Sequence, residues 1–462
     1  MSRIRRRLIS IFKPLTHLFA VLFGLTLVGG SIALSYSQAI NDALGITTIR
    51  IEQEEADEDE ERDTTYFKSA FSSVAEVREN AEEKIEKIVQ SGAVLLKNDG
   101  ALPLSSGDKV NLYSVSSVDI AYSGNGSNGE NVGSKYDSSK KKFVAVETSS
   151  PPVTLKEGLE QAGLSVNGEL YQWYLDNYPT WQRRGPRGKD FNPNVGKTIG
   201  DAPWGSIGSA KNTAAKAGIF VLTRTGGEGA DMIFSDKSYA DFTNGDYLQL
   251  SETEKSVLAG MKALKDEGKL KKIVVLINSA NPVQCDFAFD PAYGVDGVMW
   301  IGLPGTTGLN AVGNLLTGKD GANPSGKLTD TFWKKNYLNP VLANFSASVY
   351  GGNFVQNLKD DHTNEYIVYQ ESIYNGYKYT ETRYEDAVTG RGGAGAFANS
   401  DVVAYPFGYG LSYSAFKYSS FAVGARKRDA KTGEFSYDVS VTVENVSSVP
   451  GRETVQIYLQ KP

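Results

Sequence analysis

The chain has 462 residues, 40% of them hydrophobic and 22% charged, with a formal net charge of −6. At about 150 residues per domain this length corresponds to roughly three domains, and so ordinary a composition excludes a wholly disordered chain and a multi-span transporter and argues against a nucleic-acid binder. A single cysteine, Cys285, removes any intrachain disulfide framework and any cysteine-based zinc cluster, and only His17 and His362 remain as nitrogen ligands.

Residues 14–41 carry no charged side chain, and Leu18 to Leu34 is nearly all apolar or small. At about 1.5 Å per residue this stretch is long enough to cross a hydrocarbon core of about 30 Å. Arg3, Arg5, Arg6, Arg7 and Lys13 precede it and an acidic run from Glu52 to Asp63 follows, an asymmetry that predicts a cytoplasmic N-terminus and an extracytoplasmic remainder. The competing reading is a cleaved signal peptide with Ser37-Gln38-Ala39 at the cleavage site. The length of the apolar stretch favours an uncleaved single-pass anchor in the cell membrane. Nine of the twelve residues from Glu52 to Asp63 are acidic, so this segment reads as a solvated spacer, with a metal-binding role as the weaker alternative.

From Phe71 to Gln90 the pattern is helical, with Ala81, Ile85 and Ile88 predicted on one face, and a short apolar run, Ala93 to Leu96, follows. Lys109 to Val115, Ala217 to Thr223, Lys272 to Asn278 and Val298 to Ile301 read as short buried strands. Between them, Ser251 and Glu254 form a capping box for a helix that ends at Gly268, and a second helix runs from about Thr306 to Leu316. Strands alternating with helices predict βαβ units around a largely parallel sheet, whose ligands gather beyond the carboxyl ends of the strands. At the far end, Val439, Val441 and Val443, then Val455, Ile457 and Leu459, alternate with polar residues and predict two antiparallel strands of a β-sandwich. A fibronectin-type sandwich takes about 100 residues, more than follow Gly410, so the sandwich is expected to be only begun within this chain.

Three loops at predicted strand ends are candidates for chemistry. Gly124-Asn125-Gly126-Ser127-Asn128-Gly129 matches the dinucleotide fingerprint G-x-G-x-x-G formally, but residues 130–142 show no apolar period for the helix that the fingerprint requires. A flexible loop or a loop lining a polar-ligand site remains. Arg224-Thr225-Gly226-Gly227-Glu228-Gly229-Ala230-Asp231 leaves the second strand directly. Glycines on both sides of Glu228 let a ligand approach closely, and a carboxylic acid in such a loop suits proton donation, with Arg224 and Asp231 orienting it or holding ligand hydroxyls. By pattern alone an exposed glycine-rich turn is the other reading. Trp300 to Gly308 runs from a strand into a helix, where small residues fit tight packing, with a site-lining role as the other reading. Cys285 and His362 read as structural.

Taken together, these residues resemble the second domain of family 3 glycoside hydrolases. Gly92 to Asn98 followed by Leu102-Pro103-Leu104 is similar to the family's opening strand, and Gly226-Gly227-Glu228-Gly229-Ala230-Asp231 to its acid/base loop. Asn323-Pro324-Ser325-Gly326-Lys327-Leu328 resembles the strand closing the sandwich domain, and Tyr405 to Tyr413 the lead into a fibronectin-like module. The resemblance runs from about residue 75 to the end.

It implies an (α/β)6 sandwich domain over 75–335, a connecting extension over 336–410 and a truncated fibronectin III-like β-sandwich over 411–462. These follow a basic tail (1–15), a transmembrane helix (16–39) and an acidic spacer (40–74). It also implies hydrolysis of terminal β-D-glycosidic bonds with retention, with Glu228 as general acid/base of raised pKa and no cofactor or metal. The nucleophile in the family is an Asp on a (β/α)8 barrel. No matching Ser-Asp-Trp motif occurs here, and the domain order resembles the circularly permuted subgroup in which the barrel follows. Arg224, Asp231 and Ser127 are the expected sugar contacts. The expected partners are a β-glucoside or oligosaccharide, the barrel domain and the membrane, without nucleic acid, and this half alone is expected to be inactive. A noncatalytic cell-surface carbohydrate-binding protein on the same scaffold is the alternative. A β-N-acetylglucosaminidase with a barrel histidine as acid/base is disfavoured by the presence of Glu228.

Overall fold

The computed structural model describes residues 3–37, 69–124, 134–145, 152–181, 201–208, 211–224, 246–344, 371–391 and 399–459, with 41, 354–355, 366–367 and 369. It divides into two compact units, Met1–Ser72 and Ser73–Pro462. In the first, the basic N-terminal residues and the apolar stretch after them form helix α1 (Arg3–Ser35), whose 24-residue segment Phe12–Ser35 reaches a mean hydropathy of 2.1 over its most apolar part. That is long and apolar enough to cross a membrane, a test that a signal sequence also passes.

The second unit is built on a six-stranded sheet of β1 (Val94–Asn98), β2 (Lys109–Tyr113), β5 (Ser165–Val166), β6 (Ala215–Arg224), β7 (Leu270–Ser279) and β8 (Gly297–Trp300), in the order β1-β8-β7-β6-β2-β5. The hairpin strands β3 (Ser134–Asp137) and β4 (Lys142–Ala145) lie outside this sheet. All neighbours in the large sheet are parallel except β1, which runs antiparallel to β8 and carries an irregularity between Leu95 and Lys97. The central strands β6 and β7 are buried almost throughout, as the near-continuous apolar runs Ile219–Leu222 and Ile273–Ile277 require in a parallel sheet covered on both faces.

Several helices of this unit start or end at a local signal. α2 (Val74–Gly92) starts at Ser73, whose side chain accepts from the Glu76 amide. Its inward residues are Val89 and the half-buried Ile85, whereas Ala81 and Ile88 are exposed. The predicted face is thus rotated, because the docking line runs through Gly305 and Gly308, where an added Cβ would lie 3.1 Å from Ile85 and 2.6 Å from Val89. α3 (Leu155–Gln161) begins with a Thr154–Glu157 capping box, α4 (Gly168–Trp181) buries Leu170, Tyr174 and Tyr178, and α5 (Glu252–Asp266) begins with the Ser251–Glu254 box. α6 (Gly308–Thr317) ends at Gly318 with φ +70°. α3 and α6 meet backbone to backbone: a Cβ at Gly158 would lie 2.3 Å from the Leu309 carbonyl, and one at Gly313 2.2 Å from that of Gly158.

Beyond the sheet, Asn323 to Leu328 is a latch instead of a closing strand. The Leu328 amide donates to the Tyr409 carbonyl and the Gly408 amide to the Leu328 carbonyl, and the Leu411 amide donates to Leu95 of β1. The Asn323 amide ties this latch to the following segment. Its Oδ1 accepts from the Tyr413 amide and the Ser412 hydroxyl, and its Nδ2 donates to Ser414 Oγ and the Pro450 carbonyl. Val439–Asn445 is the expected strand, but it pairs antiparallel with Phe416–Val423. Val455 to Leu459 has no ladder partner among the described residues and leaves Ile457 and Leu459 exposed.

Candidate active site

The carboxyl ends of β2, β6, β7 and β8 are joined by one side chain, Asn278. Its Oδ1 accepts from the Ala121 amide and the Thr223 hydroxyl, at 2.8 and 3.0 Å, and its Nδ2 donates to the carbonyls of Ala121 and Gly302, at 2.9 and 2.7 Å. A fully buried amide with its bonding capacity filled is a fixed reference point for the loops leaving those strands. Trp300 adds a second tie, its indole N–H donating 2.7 Å to the Ser279 carbonyl. The Trp300–Gly308 loop serves packing, as one of its sequence readings has it: Gly302 and Gly305 take φ of +57° and +67°, and the Gly305 amide donates to the Tyr122 carbonyl.

At the end of β2 the backbone turns sharply at Ser114, a buried non-glycine residue with φ +79°. Strained backbone of this kind persists only where its surroundings over-determine it. Here the Ser114 amide donates to the Tyr174 hydroxyl, its Oγ accepts from Ser116, and the next amide, that of Val115, donates 3.0 Å to Asp201 Oδ1. Asp201 is fully buried, and burial, reinforced by the negative charge of Glu254, pushes its carboxyl up to about 7 against the amides of Val115 and Ala202, which pull it down. Tyr178 donates 2.7 Å to Asp119 Oδ2 and packs its ring tilted against Tyr136 and edge-to-face against Phe143, so the hairpin of β3 and β4 is seated on α4 next to these strand ends.

Arg224 closes β6 and is 1% exposed. Its guanidinium is turned into the protein, where Nε donates 2.6 Å to the Tyr247 carbonyl, Nη1 donates 2.8 Å to the Thr223 carbonyl and 2.8 Å to Glu254 Oε1, and Nη2 donates 2.6 Å to Glu254 Oε2 and also to the Gln249 carbonyl. Burial alone would lower its pKa, but the charge and hydrogen bonds of Glu254 outweigh this and the net shift is upward. The expected direct contact of Arg224 with sugar hydroxyls is therefore not part of the described arrangement, because protein acceptors take up the fork. Glu228, Asp231 and Ser127 lie outside the described residues, as does His362. Cys285 is buried, with its thiol pushed up by desolvation, in keeping with a structural role. Among the described residues there is no group of three or more His, Cys, Asp or Glu placed to hold a metal ion.

Sequence patterns did not mark Asn278, Asp201, Ser114 or Tyr174. The one available signal was a polar residue ending each buried apolar run, Asn278 after Ile277 and Thr223 after Leu222. Nothing local marks Asp201, whose Val115 partner lies 86 residues away.

The class defined by these features is an α/β domain with a parallel sheet, one antiparallel edge strand and its polar cluster at the carboxyl strand ends. The profile of the glycosyl hydrolase family 3 C-terminal domain matches residues 93–413, and the chain belongs to that family. Among curated relatives, it is 27% identical over 388 residues to a β-glucosidase of Ruminococcus albus, covering 82% of this chain and 32% of the relative. It is 28% identical over 398 residues to β-glucosidase A of Butyrivibrio fibrisolvens, covering 80% and 40%. The chain thus spans about a third to two fifths of the length of these relatives. Among solved structures it is similar to a β-glucosidase from Paenibacillus barengoltzii, with TM-score 0.58 and 25% identity over 80% of this chain and 33% of that one. The fold also matches β-glucosidase 3B from Thermotoga neapolitana in complex with glycerol, with TM-score 0.55 and 24% identity over 82% and 42%.

Proposed function

We propose that the chain supplies the sheet domain and the general acid/base of a membrane-anchored, retaining β-glucosidase-like hydrolase. The observation that carries this reading is Gly226-Gly227-Glu228-Gly229-Ala230-Asp231, one residue after Arg224 closes a central strand of a family 3 sheet. Such strand ends are where α/β sheets gather their ligands.

In the proposed reaction the Glu228 carboxylic acid protonates the glycosidic oxygen as its bond to the anomeric carbon breaks, while a carboxylate on a barrel domain attacks that carbon and forms a glycosyl-enzyme ester. Glu228, now a carboxylate, then takes a proton from water as the water's oxygen displaces the ester. Asp231 and Ser127 are proposed as sugar contacts, and Asn278 keeps the strand ends in register. The two carboxyl groups must come within about 5 to 5.5 Å for retention. The apolar helix Phe12–Ser35 is proposed to anchor the enzyme with its catalytic part extracytoplasmic, and the segment from 411 onward to belong to a fibronectin III-like sandwich.

The test is steady-state kinetics on the intact gene product with aryl β-glucosides. Glu228→Gln keeps the side chain's size and removes the transferable proton, and it is expected to lower kcat/KM for phenyl β-glucoside by about 10²- to 10⁴-fold. Turnover at the parental rate sinks the acid/base assignment. No turnover by the parent, together with binding of β-glucosides in calorimetry, favours a carbohydrate-binding protein.

A further inference from the structure

The proposed reaction makes no use of Asp201, a residue 6% exposed beside the exit of β2. Its Oδ1 accepts from two amides, at 3.0 Å from Val115 and 2.8 Å from Ala202, and its Oδ2 is buried with no hydrogen-bond partner among the described residues. An unpartnered oxygen costs a neutral carboxyl little and a carboxylate much. The groups facing it bear on the same balance. Glu254 at the start of α5 presents a negative charge that is already committed to the Arg224 guanidinium of β6, and the Tyr174 hydroxyl of α4 loses acidity to the Asp201 carboxylate. The two amides and, least, the Ser114 hydroxyl favour ionisation.

What Asp201 holds is strained. The Val115 amide belongs to the turn that opens at Ser114, whose φ of +79° is unfavourable for a residue with a Cβ. From there Val115–Ser117 form a single 3-10 turn, in which the Ser117 amide donates to the Ser114 carbonyl and the Val118 and Asp119 amides to the Val115 carbonyl. The turn is bounded by the bond from the Ser114 amide to Tyr174 at one end and by Ala121, which Asn278 holds by both amide and carbonyl, at the other. The 201–208 segment is fixed separately, Trp204 lying against Gly260 of α5.

We propose that Asp201 is a proton-dependent catch on the exit of β2: neutral, it holds the Ser114–Asp119 turn in its strained form, and on ionising it lets the turn open locally while the sheet stays folded. Complete burial, the unpaired oxygen and the facing Glu254 set the range, the carboxyl being pushed up to about 7. Opening hydrates Asp201 and returns it to an ordinary carboxylate. The equilibrium for opening therefore grows about tenfold per pH unit from the ordinary carboxylate range up to about 7 and is constant above it. The signal is a proton, and the response is the order of a segment that borders the carboxyl strand ends. The proposal is independent of the reading of Glu228.

The experiment is hydrogen exchange of the full chain, read by mass spectrometry on peptides covering Ser114–Ala121 and, for comparison, Leu270–Ser279 of β7, with rates corrected for the intrinsic dependence of exchange on pH. From pH 5 to pH 7 the protection of the Ser114–Ala121 peptide is expected to fall about 100-fold, and to level off above pH 7. Local opening exposes little surface, so this exchange is expected to be unchanged by about 1 M urea, whereas that of β7, which needs global unfolding, is expected to speed up. Asp201→Asn keeps an acceptor for both amides and does not ionise, and it is expected to hold the protection constant over this range. Tyr174→Phe removes only the hydroxyl that receives the Ser114 amide, and it is expected to lower protection equally at every pH with the pH dependence intact. Protection that is the same at pH 5 and pH 7 in the parent, or a pH dependence that survives in Asp201→Asn, overturns the proposal. So does exchange of Ser114–Ala121 that follows β7 in its response to urea. Where Asp201→Asn does not fold, the parent and Tyr174→Phe decide by the same pH and urea criteria.

Discussion

Asp201 and Arg224 are both fully buried near the strand ends, and the consequences of their burial differ in sign. Asp201 is held at about 7 against an ordinary 3.8, so between those values the folded protein keeps a proton that the unfolded chain has released. Unfolding then releases protons, and stability falls as pH rises through that window. Asp201→Asn keeps an acceptor for Val115 and Ala202 without the charge. Its melting temperature relative to the parent is expected to rise from pH 5 to pH 7 and to level off above that, by the equivalent of about 3 kcal/mol. A pH-independent difference contradicts this. Arg224 is stabilised in its charged form by Glu254, so Arg224→Met leaves a buried, unpaired carboxylate and is expected to cost about 3–5 kcal/mol in urea unfolding, most of it recovered in Arg224→Met/Glu254→Met. The reading of the glycine-flanked Glu228 rests on a local sequence motif. The Arg224–Glu254 pair leaves no such local signal, since it spans 30 residues and Glu254 reads only as half of a capping box.

The elements show the same division between local and tertiary information. α5 was legible to its ends because the Ser251–Glu254 box and Gly268 are local signals. The parallel strands β6, β7 and β8 were legible because strands covered on both faces must be apolar throughout. The antiparallel direction of β1 was not, since a run as short as Val94–Leu96 reads alike in either direction. β5 is two residues long and has no apolar pattern to read. Asn323 to Leu328 reads as a strand only through its resemblance to the family's closing strand, whereas the Leu328 backbone bonds to the turn at Gly408 and Tyr409. The face of α2 was misread because its docking line is set by Gly305 and Gly308 of another element. Removing the close approach of α3 and α6 tests this packing: Gly313→Ala places a methyl group on the Gly158 carbonyl and is expected to destabilise by about 1–3 kcal/mol in chemical denaturation. Ser251→Ala, which only removes a cap, is expected to cost about 1 kcal/mol.

At the scale of the whole molecule, the family is carried by the sheet unit, which the family profile covers over residues 93–413. The proposed activity needs two further things, a second carboxylate and a place in the cell. The helix Phe12–Ser35 bears on the latter: an anchor is expected to stay in the membrane fraction through alkaline carbonate extraction with Phe12–Ser35 intact by mass spectrometry, whereas a mature chain beginning near Ala39 identifies a signal peptide. The central claim, that Glu228 is the acid/base of a retaining hydrolase, is tested most directly by Glu228→Ala in the intact gene product, assayed with 2,4-dinitrophenyl β-glucoside and sodium azide. Without the general base the glycosyl-enzyme accumulates, and azide, which needs no deprotonation, is expected to restore turnover and release β-glucosyl azide. Hydrolysis at the parental rate without azide, or the absence of any azide adduct alongside unchanged product formation, contradicts the assignment.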